Sequence, residues 1–181
     1  MTGRWSAPTL VLHWLGAGLV LFLLAQGWLM VHGGFDAAPR FDAYQTHKSW
    51  GFVALALTLL RLAARATAAA PPAPPEMARW ERMAASATHR VMYALMLLAA
   101  LSGWVLVGAA VIAIPTRFFG AFIIPNLGPP DAMVFASAAQ LHVIVSRLIM
   151  ALLALHVAAA LKHHFVDRDD VLTRMLRLGA R

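Results

Sequence analysis

The most informative feature of this sequence is a pair of histidines in one long apolar segment. His142 and His156 lie 14 residues apart in LHVIVSRLIMALLALH. In an α-helix this separation gives almost four turns and a rise of about 21 Å, so both imidazoles point the same way at different depths. Ionisable side chains inside a membrane are costly and usually functional. The two histidines therefore predict two stacked metal centres, and haem iron is the metal most consistent with histidine ligation inside a helix bundle.

Four apolar helices must position these histidines. The chain has 181 residues, of which 61% are hydrophobic and 13% charged, a composition typical of an integral membrane protein. Each of four apolar stretches exceeds the roughly 20 residues that cross a bilayer; they run over about 7–31, 46–68, 87–113 and 134–163. We predict an all-α fold, an integral membrane antiparallel four-helix bundle that encloses two haems. We expect a single domain over 1–181, with a cytoplasmic tail at 166–181.

The basic residues predict the orientation of the bundle. Of 15 lysines and arginines, 11 flank the N-terminus, the second connection and the C-terminal end. The positive-inside rule then places both termini and the second connection in the cytoplasm. We expect a multi-pass protein of a bacterial inner (plasma) membrane. The apolar third connection, IPTRFFGAFIIPNLGPPD, is expected to lie at the outer surface or to cap the bundle.

Composition also excludes several classes of site. The sequence has no cysteine, which excludes disulfides, cysteine-ligated iron–sulfur clusters and thioether-linked haem. The net charge of +7 is assigned to the cytoplasmic loops, and no nucleic acid is expected as a partner.

Depth along the helices pairs the histidines. His13 lies early in the first span and His156 late in the fourth, so both are near the cytoplasmic face. His47 begins the second span and His142 is early in the fourth, so both are near the outer face. We therefore predict an outer haem iron bound by His47 and His142, and an inner one bound by His13 and His156. Gly51, one turn after His47, leaves room for a flat macrocycle.

Further polar residues are candidates at the same two depths. Arg61, 14 residues after His47, shares its helix face at the inner level; it is placed to bind a haem propionate or a quinone oxygen, or to anchor the span end. Lys48 is placed to bind a propionate or a quinone oxygen near the outer haem, or extends its ammonium group to the membrane surface. His163 and His89 are candidate proton donors to a quinone on the cytoplasmic side, with ordinary basic span ends as the alternative.

The chain resembles the bacterial cytochrome b(561) family of four-helix, di-haem membrane proteins, which is related to the cytochrome b subunits of nickel hydrogenases and formate dehydrogenases. The segments that carry the resemblance are LHWLGAG around His13, HKSWGFVALALTLLRLAAR from His47, HRVMYALMLLAALSGW from His89 and LHVIVSRLIMALLALHVAAALKHHF from Leu141. The resemblance implies b-haem ligation by the same two histidine pairs and electron exchange with a quinone pool. Some family members are superoxide oxidases, which pass the electron of superoxide to ubiquinone.

Our first hypothesis is therefore an oxidoreductase with two haem b groups and ubiquinone as acceptor. Its expected partners are membrane lipid, quinone, and superoxide or a periplasmic electron donor, and the sequence leaves a homo-oligomer open. The alternatives are a haem-bearing membrane anchor that relays electrons for a periplasmic redox partner, and a haem-free membrane protein. Arg147 lies about 140° round the helix from His142 and is expected to miss the haem face.

Overall fold

Side-chain caps begin two of the four long helices. The computed structural model describes residues 5–67, 70–112 and 114–176. Helix α1 (Ala7–His32) begins after Ser6, whose Oγ accepts the N–H of Thr9 at 3.4 Å. Helix α4 (Ala132–Lys162) begins after Asp131, whose Oδ1 accepts the N–H groups of Met133 and Val134 at 2.8 and 2.9 Å. Both caps satisfy amide groups that have no partner inside the helix.

Helices α2 (Ala37–Thr67) and α3 (Arg79–Ala109) complete the bundle. All four helices are long and apolar enough to cross a membrane, and the predicted all-α membrane fold is confirmed. The predicted ends of the second and third spans, residues 68 and 113, lie outside the described residues, as do Arg4 and tail residues 177–181.

Two helices begin earlier than hydropathy predicts. Helix α2 begins at Ala37 rather than at 46, and α3 begins at Arg79 rather than at 87. The added turns, AAPRFDAYQ and RWERMAAS, contain most of the polar residues of these two helix starts. Polar residues do not end a helix where it leaves the hydrocarbon, and Arg, Glu, Met and Ala favour helix intrinsically. Hydropathy therefore marks the apolar part of each helix and misses its extension.

The third connection folds over the start of α2. It contains an antiparallel hairpin of β1 (Thr116–Phe118) and β2 (Phe122–Ile124), with Thr116 opposite Ile124. The Oγ of Ser49 donates to the carbonyl oxygen of Arg117 at 3.2 Å and accepts the N–H of Phe119 at 3.1 Å. This hairpin was not predicted, because its strands are only three residues long.

The opposite end of the bundle is held by the tail. Helix α4 continues into a π-helical turn, His163–Asp167, and then Arg168 adopts a left-handed conformation with φ 54°. A short helix, α5 (Val171–Leu176), follows within the tail. The indole Nε1 of Trp14 donates to the carbonyl oxygen of Met175 at 2.7 Å. The tail therefore lies against α1, close to the inner histidines.

Candidate metal centres

The structure brings His47 and His142 together between α2 and α4. Their ring centroids are 6.4 Å apart, with an angle of 83° between the ring planes. We call this pair the outer site, after the orientation expected from the sequence. Small residues allow α1 and α3 to approach it: a Cβ at Gly27 would lie 3.6 Å from Cε1 of His47, and one at Gly103 would lie 3.2 Å from Cε1 of His142.

The orientation of the His142 ring is set by α3. Its Nδ1 lies 2.9 Å from the carbonyl oxygen of Ala99 and 3.2 Å from Oγ of Ser102. Because a carbonyl oxygen only accepts, Nδ1 carries the ring proton and donates to Ala99. The Nε2 lone pair of His142 is then free to bind a metal, the arrangement usual for metal-ligating histidines.

His13 and His156 form the second pair, the inner site, between α1 and α4. Their ring centroids are 6.3 Å apart, with 58° between the planes. A third imidazole is even closer: the His89 ring centroid, from α3, lies 5.4 Å from that of His156. The sequence placed His89 at this depth but did not predict its contact with a candidate ligand.

Arg61 reaches the inner site from α2. Its Nη2 donates to Nδ1 of His13 at 2.6 Å, and its guanidinium carbon lies 5.4 Å from the ring centroid of Tyr93. An arginine can only donate, so Nδ1 of His13 accepts and the proton of a neutral ring lies on Nε2. The inner and outer sites therefore support their histidines in opposite ways.

A cavity adjoins each site. The outer cavity is lined by both outer histidines and by Gly51. The inner one is lined by His13, Gly16 and Arg61, whereas His156 is not part of its lining. The two cavities share three lining residues, Val20, Met96 and Ile149, so they are stacked along the bundle axis and separated by a single layer of side chains.

Comparison with known proteins identifies the family. The family model described as prokaryotic cytochrome b561 matches residues 4–178. The chain belongs to this family. It is 30% identical over 173 residues to Cytochrome b561 homolog 2 of Escherichia coli (strain K12), covering 96% of this chain and 91% of the relative. It is 27% identical over 180 residues to Cytochrome b561 homolog 1 of the same organism, covering 96% and 97%.

Membership of a cytochrome b561 family makes the chain a membrane electron-transfer protein with b-type haem, and the two sites fit such a group. An imidazole–metal bond of about 2.0 Å on each side, with ring radii of about 1.1 Å, separates two axial ring centroids by about 6 Å. The observed separations are 6.4 and 6.3 Å. Gly51 and Gly16 line the cavities, and a Cβ at either would have no neighbour within 4 Å. Glycine therefore leaves part of the wall of each cavity without a side chain, as the close approach of a flat macrocycle would require.

In the outer site, His142 is oriented for metal ligation as it stands, and the inner site needs one adjustment at His13. Because the His13 ring proton lies on Nε2, ligation through that atom requires the proton to leave. Release of Arg61 from His13 to another acceptor, such as a propionate, would restore the usual tautomer. The adjustment therefore changes only the His13 tautomer and the hydrogen-bond partner of Arg61.

The remaining candidate residues lie around these sites. Lys48 does not line the outer cavity: its Nζ donates to the carbonyl oxygens of Ile114 and Pro115 at 3.2 and 3.4 Å, which fastens the third connection to α2. His163 begins the π-helical turn that follows α4, at the same end of the bundle as the inner site. Its Nδ1 is 2.6 Å from Oδ2 of Asp169. Arg147 is exposed on α4, off the face that carries the two histidines, as its helical position predicts.

Two contacts of the outer site were missed by sequence reasoning. Ser102 and the Ala99 carbonyl both touch His142. Ser102 left a weak signal, a hydroxyl inside the apolar run LLAALSGW. The Ala99 carbonyl left none, because any residue supplies a backbone oxygen and only the packing of α3 on α4 selects this one.

Proposed function

We propose that this chain is a superoxide:ubiquinone oxidoreductase that holds two b-haems and moves electrons across the membrane. The outer haem is held by His47 and His142, and the inner haem by His13 and His156. Two superoxide anions each give up one electron and leave as dioxygen. Ubiquinone takes up those two electrons with two protons from the cytoplasm and becomes ubiquinol.

The observation that carries this proposal is the stacking of two histidine pairs beside adjoining cavities. The ring centroids of the two pairs are 6.4 and 6.3 Å apart, a separation at which two imidazoles could hold one metal ion between them. One layer of three side chains, Val20, Met96 and Ile149, separates the cavities. A single site would need only one such pair, whereas two stacked sites suit transfer from one membrane face to the other. Haem iron, when bound, supplies the one-electron carriers for this path.

Residues at the outer end orient a ligand ring, and residues at the inner end supply charge and protons. At the outer end, the Ala99 carbonyl holds the His142 ring in the tautomer that leaves Nε2 free. At the inner end, Arg61 supplies a fixed positive charge for an anionic oxygen. His89 and His163 lie beside this end and are suited to deliver protons from the cytoplasm.

The first test is a haem count with matched histidine variants. The purified full chain should contain two b-haems, and His47→Ala and His156→Ala should each retain one. His32→Ala is the control, since His32 is exposed at the end of α1 and belongs to neither pair. Superoxide-dependent reduction of a soluble ubiquinone analogue should then be present in the native chain and His32→Ala, and absent from both other variants. One haem or none in the native chain would refute the proposal.

A second candidate function is supported by the exposed third connection. Val111 and Ile112 are 83% and 77% exposed, and Phe122 and Ile123 on the hairpin are 58% and 60% exposed. Such a surface beside the outer site suits a periplasmic redox partner that delivers electrons to a haem-bearing anchor. Co-purification of a stoichiometric redox protein, together with no superoxide-dependent quinone reduction, would favour this function over the first.

A further inference from the structure

Two buried polar atoms near the outer site have no hydrogen-bond partner within the described part of the chain. They are Nδ1 of His47 and Oε1 of Gln26. Leaving a buried polar atom unpaired is unfavourable, and native proteins contain few such atoms. One of the two atoms is an acceptor, and the other becomes a donor when its ring binds a metal through Nε2. Oε1 of Gln26 can therefore accept the hydrogen bond that Nδ1 of His47 would donate.

Gln26 lies on α1 beside the part of α2 that carries His47. Its Nε2 donates to the carbonyl oxygen of Ala43 at 3.3 Å, and Ala43 precedes His47 by one helical turn. The next residue, Gly27, is close to the imidazole, because a Cβ there would lie 3.6 Å from Cε1 of His47. The hydrogen bond to Ala43 also fixes the amide orientation, so Oε1 is the end of Gln26 that remains free.

The two outer histidines are therefore supported unequally. His142 donates its Nδ1–H to the Ala99 carbonyl, whereas Nδ1 of His47 is buried without an acceptor. A metal-ligating histidine almost always donates its second ring N–H to a carboxylate, carbonyl or water, which fixes the ring and increases its electron donation to the metal. This step rests on the proposed function, because it takes His47 as an iron ligand.

We infer that Gln26 is the positioning residue of His47: its Oε1 accepts the Nδ1–H of His47, by a small rotation of the amide or through one buried water. A water that bridges two buried polar groups is nearly as favourable as a direct hydrogen bond. The contact holds the ring plane and strengthens electron donation to the outer iron. Gln26 touches neither the iron nor a substrate, so it acts only through His47.

This role predicts opposite effects for two substitutions. Gln26→Leu removes the acceptor, weakens electron donation and favours the reduced haem. Gln26→Glu supplies a charged acceptor, strengthens electron donation and favours the oxidised haem. At a fixed ambient potential, we expect the ratio of reduced to oxidised outer haem to rise about tenfold in the first variant and to fall about tenfold in the second.

The experiment is a redox titration of the purified full chain and these variants, with the outer haem assigned by its loss in His47→Ala. Gln140→Glu is the matched control, because it adds the same charge at an exposed position two residues before His142. Opposite shifts confined to the outer haem, with a smaller shift in the control, would support the inference. Shifts of the same sign, no shift, or a Gln26→Glu shift equal to that of the control would overturn it.

Haem content separates this inference from the proposed function. Fewer than two haems in the native chain refutes the proposed function, whereas two haems without the opposite shifts refute only the role of Gln26. Should Gln26→Leu lose the outer haem, Gln26→Glu decides. Retention of the haem by Gln26→Glu supports a hydrogen-bonding role, and loss in both variants shows that Gln26 acts by packing.

Discussion

His89 lies closer to His156 than His13 does. The centroids of the His89 and His156 rings are 5.4 Å apart, and those of His13 and His156 are 6.3 Å apart. Two imidazoles that bind one metal from opposite sides have centroids about 6 Å apart. The larger separation suits a pair of ligands, and the shorter one suits a neighbour that packs against a ligand ring.

This difference predicts distinct outcomes for His13→Gln and His89→Gln. His13→Gln should lose the inner haem and keep one haem per chain. His89→Gln should keep both haems but reduce ubiquinone up to about 10²-fold more slowly, because general acid catalysis contributes on that scale. Haem stoichiometry and quinone reduction by the purified variants measure the two effects. Loss of a haem from His89→Gln with retention in His13→Gln would instead make His89 the ligand.

Gly51 predicts a steric test of the outer cavity. It lines that cavity, and a Cβ built on it meets nothing within 4 Å. Gly51→Leu should therefore fold but compete with the macrocycle for space, at a cost of about 1–3 kcal/mol, or roughly 5- to 150-fold weaker haem binding.

The control for this test is Gly18→Leu on α1. A Cβ at Gly18 also meets nothing within 4 Å, and Gly18 is exposed and lines neither cavity. Haem content per chain, measured with the helical circular dichroism of both variants, gives the comparison. Equal haem content in the two variants would show that the cavity beside Gly51 does not hold the cofactor.

Helical periodicity and depth predicted the relations that depend on one helix or on span length. Arg61 was placed at the inner level by its 14-residue separation from His47, and it lies beside His13. Neighbours from other helices were harder to predict, because rotation of each helix about its axis is set by packing. The contact of His89 with His156 and the hydrogen bond from His142 to Ala99 both depend on the rotation of α3.

Lys48 shows a second limit of sequence reasoning. Its position next to His47 allowed a contact with the outer haem, but its ammonium group is bound by carbonyl oxygens of the third connection. That connection carries a hairpin whose strands leave too short a pattern to predict. A residue whose partner lies in irregular structure cannot be assigned from periodicity.

The positive charge of Arg117 is expected to attract an anion such as superoxide to the outer surface. It is an exposed cation on β1, and β1 packs on α2 next to the outer site. Arg117→Glu should lower kcat/KM for superoxide roughly two- to tenfold and weaken its dependence on ionic strength, since local charge steers small anions. Arg168→Glu, on the cytoplasmic side of the predicted topology, is the control. An equal decrease in both variants would exclude steering by Arg117.

Removing the positive charge of Arg61 is expected to shift the reduction potential of the inner haem alone. Its guanidinium donates to Nδ1 of His13 at 2.6 Å, so its positive charge lies beside the inner site. A nearby cation favours the reduced form of a haem, which carries one positive charge less. Arg61→Gln should therefore lower the inner reduction potential, by about 59 mV if the ratio of reduced to oxidised haem changes tenfold. The outer potential should stay unchanged.

The control for Arg61 is Arg65→Gln, one turn further along α2. Arg65 is exposed and its guanidinium carbon lies 4.8 Å from the ring centroid of Trp5, away from His13. Redox titration of both variants, with the inner haem assigned by its loss in His156→Ala, measures the effect. A decrease in Arg61→Gln that exceeds the one in Arg65→Gln reports the local charge. Equal decreases would assign the effect to the total charge at this end of the bundle, and a rise would show that Arg61 acts on the His13 tautomer instead.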